Sequence, residues 1–558
     1  MVATGETGGR PSRQAAFRGV PDAAANSQAD QAAGPAEPVP GPAGRRTGWL
    51  VIAVPAATSL AVGGYQIGGP SLWRDEAYTK DAITRSFSQI FALLGHQDAV
   101  HGGYYVMMHA VAAVAGTSAT ALRFPSLCAM VIATGFTAAI GRRAATLALA
   151  PDAGRGGLPA VPALTGLLSG LVFATAPYMT YYAQTARSYA FVTMFATIAS
   201  YLLLRAYPDG RWRWWLAYGA AVALAGLFNL FGLLILAAHG LTLLLTDARG
   251  AAGVGRRIGR VPLRWLAASA AALIAAFPVL RVASGQQKQI NWLTRPDART
   301  IEQLVAHFAG SRELALPVAL LALAGLAVSW LTDRWRPLNP AAIALPWLVV
   351  PPAVLIAVSY VKPVYLERYV EFCLPALAVL ASAGIVGLIR LAAGSPPGRR
   401  LPWLPAATAA AIVAVLAAML AGPQAAIRQT AARTDDLRLA SAIVAAHERP
   451  GDVVFYIPAN MRVLGTGYPA PFLRLRDLAL ARSPIAAARL TGTEITSPAL
   501  LKSRFTDVQR VWVVTGNSDG TFPVPSTPVN QEKMALLAGL RIVHRWMAGE
   551  VMLTLYGR

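Results

Sequence analysis

Charge is scarce in this chain, and acid scarcest. Of 558 residues only 27 are Asp or Glu and 14% are charged, against 55% hydrophobic, with a mean hydropathy of +0.46. A soluble globular protein carries roughly 25% charged residues, so a soluble enzyme is excluded and a polytopic membrane protein is implied. The only two cysteines, Cys128 and Cys373, lie in apolar segments, which excludes a zinc site or disulfide framework built on cysteine. There is no Walker A motif, glycine-rich nucleotide fingerprint or heptad array, so neither ATP nor a cytosolic nucleotide sugar has an evident site. Residues 1–44 are rich in Ala, Gly, Pro, Gln and Ser. Without an apolar run they are expected to form a disordered cytoplasmic tail rather than a signal peptide.

What is abundant is arginine. The net charge of +22 would suit nucleic acid, but the basic residues fall in short clusters between apolar spans, as orientation in a membrane requires. Arg45/Arg46 precede the first span, about 48–68. Further spans are expected near 163–183, 187–205, 214–228, 229–246, 265–283, 314–331, 341–360, 369–390 and 402–421. Placing Arg142/Arg143, Arg205 with Arg211/Arg213, Arg249 to Arg264, Arg334/Arg336 and Arg399/Arg400 inside leaves 69–102, 184–187, 284–313, 361–368 and all after about 422 outside. Between 103 and 141 two apolar segments compete for one net crossing, so one of them is re-entrant or interfacial. About 20 apolar residues cross a bilayer. The predicted fold is a polytopic α-helical protein with about 11 transmembrane helices, spanning 45–422 of a multi-pass plasma-membrane protein. Residues 423–558 are predicted to form a small extracytoplasmic α/β domain. Their apolar residues come in short runs (453–457, 511–514, 551–556), preceded by a helical stretch at 435–447.

The outer loop 69–102 is the richest in chemistry. Arg74, Asp75 and Glu76 sit about seven residues past the first span, and ionisable groups at a membrane edge are costly unless paired or functional. An amphipathic helix is predicted from Tyr78 to Leu94, with Ile83, Phe87, Ile90, Phe91 and Leu94 on one face. His96, Asp98 and His101 follow, leading into Tyr104 and Tyr105. One carboxylate could take a proton from an acceptor hydroxyl. Alternatively, Asp75, His96, Asp98 and His101 could hold a divalent ion, or His101 at a helix N-terminus could meet a phosphate. The plain alternative is a solvated interfacial loop. Arg187 is the only charged residue between Arg155 and Arg205, and an outer Arg against the charge gradient calls for an anion. Its neighbours Tyr182 and Gln184 belong to the same segment, whose tyrosines also suit an interfacial belt. Lys362, Arg368 and Tyr369 form another outer basic cluster, where a guanidinium can clamp a phosphate; snorkelling, or an internal pair with Glu367, is the alternative. The loop 286–302, with Trp292, could cover a cleft.

At these residues the chain resembles integral-membrane glycosyltransferases of the GT-C class, in particular the bacterial superfamily of protein O-mannosyltransferases and aminoarabinose transferases. The resemblance covers roughly 48–422 and rests on Leu-Trp-Arg-Asp-Glu-Ala (72–77), Asp98 to Tyr105 with the following Met-Met-His, Leu-Arg-Phe-Pro-Ser (122–126), Tyr-Tyr-Ala-Gln-Thr-Ala-Arg-Ser-Tyr-Ala (181–190) and, more weakly, 367–375. It implies a polyprenyl-phosphate sugar donor, an extracytoplasmic active site and an inverting transfer. The family's first-loop acid falls on Asp75, as catalytic base or acceptor-orienting group, with Glu76 as the second acid. Two departures stand out. Gln184-Thr185-Ala186-Arg187 lacks the acid of the family's frequent Gln-Glu-Ala-Arg, and His101-Gly102-Gly103 replaces His-Pro-Pro or Lys-Pro-Pro.

The expected function is therefore transfer of a sugar, mannose as first choice, from a polyprenyl-phosphate donor to a glycan, glycolipid or protein hydroxyl outside the membrane. Asp75 serves as base, and Arg187, Arg368, His101 and Lys362 hold the donor phosphate. Arg74, Tyr104, Tyr182, Gln184, Tyr369 and Trp292 are expected to line the cleft. No cofactor is required, although a divalent metal fits the Asp75/His96/Asp98/His101 set; membrane lipids are partners and nucleic acid is not. The competing reading is a flippase, transporter or binding protein for a polyprenyl-phosphate lipid, whose charges would sit near the midplane among inverted repeats. A third is an assembly protein whose outer domain does the work.

Overall fold

The computed structural model describes residues 42–148, 160–250, 260–333, 338–395, 401, 403–516 and 527–558. The tail expected to be disordered lies almost wholly outside them, as do the basic residues at 155, 256, 257, 334, 336, 399 and 400.

The apolar runs fold as helices: α1 (Pro42–Gly64), then two short helices in the segment 69–102, α2 (Arg74–Ile83) and α3 (Phe87–Leu94). There follow α4 (Gly102–Ala115), α5 (Ala119–Ala148), α6 (Ala160–Thr175), α7 (Pro177–Ala183), α8 (Tyr189–Asp209), α9 (Trp212–Phe228) and α10 (Ile235–Gly250). The second half supplies α11 (Arg260–Ala283), α12 (Ala298–Ala309), α13 (Arg312–Asp333), α14 (Pro340–Val361), α15 (Leu374–Gly394) and α16 (Leu404–Ala426).

Among the described residues seven helices are long and apolar enough to cross a membrane, or eight if α6 and α7, bent by 62° at their junction, form one span. Hydropathy predicts about 11. Part of the difference is that the spans expected at 48–68 and 229–246 fold as shorter apolar helices, Gly48–Gly64 and Leu230–Thr246. The ambiguous stretch 103–141 resolves into α4 and a long α5. At the centre α15 packs against α6, α13, α14 and α16. A Cβ on Gly384 would lie 2.1 Å from Leu321 O, and one on Gly325 2.0 Å from Leu380 O. Only glycine at both positions lets α13 and α15 approach this closely, the small-residue packing typical of membrane helices.

The single amphipathic helix expected over Tyr78–Leu94 is in fact two. Ser86, in extended backbone, caps α3 by accepting from Gln89 N while Gln89 caps Ser86 in return. This capping box starts a new helix instead of continuing the old one. The first helix also begins four residues earlier than expected, so Asp75 and Glu76 occupy its first turn.

Beyond α16 the chain forms α17 (Leu437–His447) and a five-stranded sheet of order β2-β1-β5-β7-β6. Its strands are β1 (Val453–Ile457), β2 (Arg476–Asp477), β5 (Arg510–Gly516), β6 (Arg541–Ala548) and β7 (Val551–Gly557); β3 (Leu480–Arg482) and β4 (Thr493–Glu494) pair separately. The pairing of β1 with β2 and β5 is parallel, while β7 runs antiparallel to β5 and β6. Alternating residues of β1, β5 and β7 enter two cores, one shared with α17 and containing Ala77 of α2. The sheet domain therefore packs against α2.

Candidate active site

Three of the sequence patches that carry the resemblance converge on Glu76. Arg123 of α5 grips its carboxylate in bidentate fashion, Nε to Oε1 at 2.8 Å and Nη2 to Oε2 at 2.7 Å. The Ala186 amide donates to Oε1 at 2.9 Å. Both side chains are fully buried. The other donors of Arg123 satisfy the carbonyls of Ile67, Pro70 and Ser71. Burial alone would raise the Glu76 carboxyl, but the Arg123 guanidinium outweighs it and holds the group below its ordinary value. Glu76 is thus a buried, fully engaged anchor that fixes α2 to α5, and its carboxylate is turned away from solvent. A lone Arg in an apolar span is itself a signal that a carboxylate must meet it.

One residue earlier the situation is reversed. The Asp75 side chain is 15% exposed, and its Oδ2 lies 3.4 Å from Arg368 Nη1. That oxygen has no hydrogen-bond partner among the described residues. Arg368 stands in the turn 367–369 with its side chain 24% exposed and its Nε also unpaired. An acid with a free lone pair beside a cation that solvent can reach is what a proton acceptor for a charged substrate requires.

Behind this pair lies a buried relay. Arg187 donates to His101 Nε2 (2.8 Å), to Tyr105 Oη (3.3 Å) and to the Asp75 carbonyl (3.4 Å). A guanidinium cannot accept, so His101 carries its proton on Nδ1, which donates to Ser188 Oγ at 3.0 Å. Burial, with Arg187 and Arg368 nearby, drives the His101 value well below 6.5 and keeps the ring neutral. His101 therefore reaches the site through Arg187. Tyr105 Oη donates to Asp98 Oδ2 at 2.7 Å, and burial lifts Asp98 above its ordinary value despite Arg187 and Tyr105.

Other expected site residues are placed differently. Among the described residues no three of His, Cys, Asp and Glu gather as a metal site needs. His96 is exposed, bonded to Ala92 O, and Asp98 is taken by Tyr105, so the set Asp75/His96/Asp98/His101 does not assemble. Tyr104 is buried against Phe191 and Phe228 rather than on a cleft wall. Gln184 donates to the carbonyls of Gly63 and Tyr65 and pins the end of α1. Trp292 is 64% exposed. Lys362 is the C-cap residue of α14, with no carboxylate within 4.0 Å among the described residues. Tyr369 stacks on Phe231 at 4.4 Å. Arg74 is turned toward Asp435 of the sheet domain (3.1 Å).

Next to Arg368 opens a cavity of about 520 Å³ lined by Tyr178, Tyr181, Tyr182, His307, Glu367 and Arg368 together with the outer end of α16. An apolar groove of about 720 Å³ runs between α12, α13, α14 and α15. A small space lined in part by Phe308, Ala309, Val318 and Leu377 shares Pro177 with the cavity and those four residues with the groove. His307 and Glu371, joined at 2.7 Å, escaped the sequence reading because they are 64 residues apart and neither stands in a recognisable motif.

A family model described as dolichyl-phosphate-mannose-protein mannosyltransferase matches residues 160–281, which include Arg187 but not Asp75 or Arg368. No curated protein matches the chain. Among solved structures, ArnT from Cupriavidus metallidurans in the apo state matches with a TM-score of 0.52 at 14% identity, over 92% of this chain and 98% of that one. ArnT bound to undecaprenyl phosphate matches with 0.53 at 15%, over 91% and 98%. The chain has the fold of ArnT over nearly its whole length.

Proposed function

We propose that this protein is a membrane glycosyltransferase that moves a sugar from a polyprenyl-phosphate donor to an acceptor hydroxyl, with Asp75 as the base. The observation that carries the reading is Asp75 Oδ2, without a hydrogen-bond partner among the described residues and 3.4 Å from Arg368, which itself lines the cavity, while α12 lines both that cavity and the apolar groove. The ArnT structure of like fold holds undecaprenyl phosphate, and the matching family model is named for a dolichyl-phosphate-mannose enzyme; mannose is accordingly the first sugar to test.

In this reading the prenyl chain lies in the groove along Leu326, Leu345, Val349 and Ile356, and the phosphate meets Arg368. The acceptor oxygen attacks the anomeric carbon as its proton passes to Asp75. The bond from that carbon to the phosphate oxygen breaks, and the carrier phosphate leaves with the electron pair. Arg368 and, behind it, Arg187 stabilise the charge that develops there; preorganised cations at developing charge are the usual large catalytic term. Glu76 and Arg123 hold α2 in place, and His101 orients Arg187. Asp75 and the sheet domain face the extracytoplasmic side.

The test is transfer in proteoliposomes from a panel of radiolabelled polyprenyl-phosphate sugars to a membrane extract, comparing the intact chain with Asp75→Asn. Loss of a positioned general base costs about 10²–10⁴-fold. Transfer by the intact chain, with a fall of that order in the variant and donor binding kept, supports the reading. Equal transfer removes Asp75 as base. Donor binding without transfer by the intact chain points to a lipid-handling protein.

A further inference from the structure

Buried titratable clusters that the transfer does not use differ in one respect. In the sheet domain Lys533 pairs with Glu494, and Arg462 with Glu494 and Asp477, a closed network. His239 lies between Ser200 Oγ and Tyr218 Oη, also closed. The pair His307–Glu371 is open. Glu371, 1% exposed, leaves Oε1 without a partner among the described residues, and His307 lines the cavity beside Arg368.

The pair is assembled from three elements. His307 comes from α12, Glu371 from the turn before α15, and Tyr178 of α7 stacks on the imidazole with centroids 3.6 Å apart. Because a carboxylate only accepts, His307 Nε2 carries the proton and donates to Glu371 Oε2 at 2.7 Å. This leaves Nδ1 as an acceptor with no partner among the described residues. A lone pair held in a fixed ring receives a hydroxyl proton well, and an unpaired buried oxygen is costly unless a ligand or water meets it. The remaining walls are the tyrosine rings 178, 181 and 182, with Glu367 and Arg368. Aromatic faces carry negative charge and suit the polarised C–H groups of a sugar ring. The volume lies within the roughly 300–1,000 Å³ usual for small-molecule pockets.

We propose that this cavity is the subsite for the sugar ring of the donor, in which His307, held by Glu371, accepts a ring hydroxyl while Tyr178 and Tyr182 cover the ring face. The pair then sets which sugar is taken, because a site built to hydrogen-bond a hydroxyl discriminates strongly against a ring that lacks it or turns it away. This rests on the donor reading above, and it separates recognition of the sugar from recognition of the carrier. The carrier's phosphate and chain belong to Arg368 and the groove.

The experiment measures binding to the full chain in nanodiscs of bare polyprenyl phosphate and of the same carrier bearing mannose, glucose, galactose or arabinose. At least one sugar should tighten binding by about tenfold over the bare carrier, as one or two hydroxyl contacts would. His307→Gln and Glu371→Gln should each reduce that gain to about twofold or less while bare-carrier binding stays unchanged. If either variant also loses the bare carrier, Tyr178→Leu, which leaves the ion pair in place, decides by the same comparison. The proposal is overturned if no sugar adds affinity, or if the gain survives all three substitutions. Failure of the bare carrier to bind the intact chain would instead overturn the donor reading, and this assignment with it.

Discussion

Asp435 caps a helix from 361 residues away: its Oδ2 accepts the Arg74 amide at 3.0 Å and its Oδ1 the Arg74 guanidinium at 3.1 Å. The residue at the local cap position, Trp73, makes no side-chain cap, so the helix that carries Asp75 owes its N-terminal cap to the sheet domain. Lys80 donating to Gly467 O, Leu72 to Tyr468 Oη and Arg438 to Ser71 Oγ extend the same seam. Removing a side-chain cap costs about 0.5–2 kcal/mol, and the part-exposed Arg74 adds little beyond that. Asp435→Ala is expected to lower transfer about tenfold through kcat, with donor KM little changed, and Asp435→Asn to recover most of it. Steady-state kinetics in proteoliposomes would check this; a change confined to KM would show that the cap does not act on Asp75.

The buried pair Glu76–Arg123 makes the opposite prediction, for stability rather than rate. Breaking a buried pair from one side leaves an uncompensated charge and costs roughly 3–5 kcal/mol. Glu76→Leu and Arg123→Met should therefore each lower the thermal midpoint sharply, and the double variant less than the sum. The carboxyl of Glu76 is held below its ordinary 4.5, so its contribution is complete above the unfolded value and is lost as the pH falls from about 4.5 through the lower folded value. Thermal melts between pH 3 and 6 should show that loss in the intact chain and not in a Glu76→Gln variant.

How much of this was legible in the sequence follows from the range of each interaction. The apolar helices and the strands at 453–457, 511–514 and 551–556 can be read because local composition reveals them, and Asp75 and Arg187 stand out as isolated charges. The split at Ser86 is also local, and the capping box Ser86–Gln89 could have been found. The roles of Glu76, His307, Glu371 and Asp435 could not, since each depends on a partner distant in sequence whose position the fold decides. Adjacent acids such as Asp75 and Glu76 look alike in a string, yet on a helix they point about 100° apart. One meets Arg123 inside the bundle and the other meets Arg368, which lines the cavity.

His101 should act as a neutral acceptor for Arg187 and not as a titrating acid. Its value is pushed well below 6.5 by burial, then by Arg187 and Arg368. Unfolding lets it charge, so the stability it gives above the ordinary 6.5 declines as the pH drops below that value. His101→Gln supplies an amide oxygen to the same Arg187 nitrogen and should keep transfer within about threefold, whereas His101→Ala leaves another buried donor unpaired and should cost about tenfold or more. Profiles of kcat against pH from 5.5 to 8 should have the same shape in the intact chain and in His101→Gln. A limb near pH 6.5 that the substitution removes would show that the imidazole titrates during turnover.

The groove makes a prediction that depends on chain length rather than on charge. Its lining is almost wholly aliphatic, and α12 contributes residues both to it and to the cavity. A carrier seated with its phosphate at Arg368 would place its first isoprene units beside α12 and the rest of its chain in the groove. Filling the middle of the groove with Ala353→Trp should therefore weaken long carriers and spare short ones. Each buried methylene contributes about 0.8 kcal/mol, so excluding even two isoprene units would raise KM by well over tenfold. Donors of two, five and ten or more isoprene units, compared in the intact chain and in Ala353→Trp, give the readout. A length-dependent rise in KM for the variant is the expected outcome. An equal effect at every length would mean the prenyl chain takes another path along the helices, and the phosphate position inferred from Arg368 would have to be drawn again from that path.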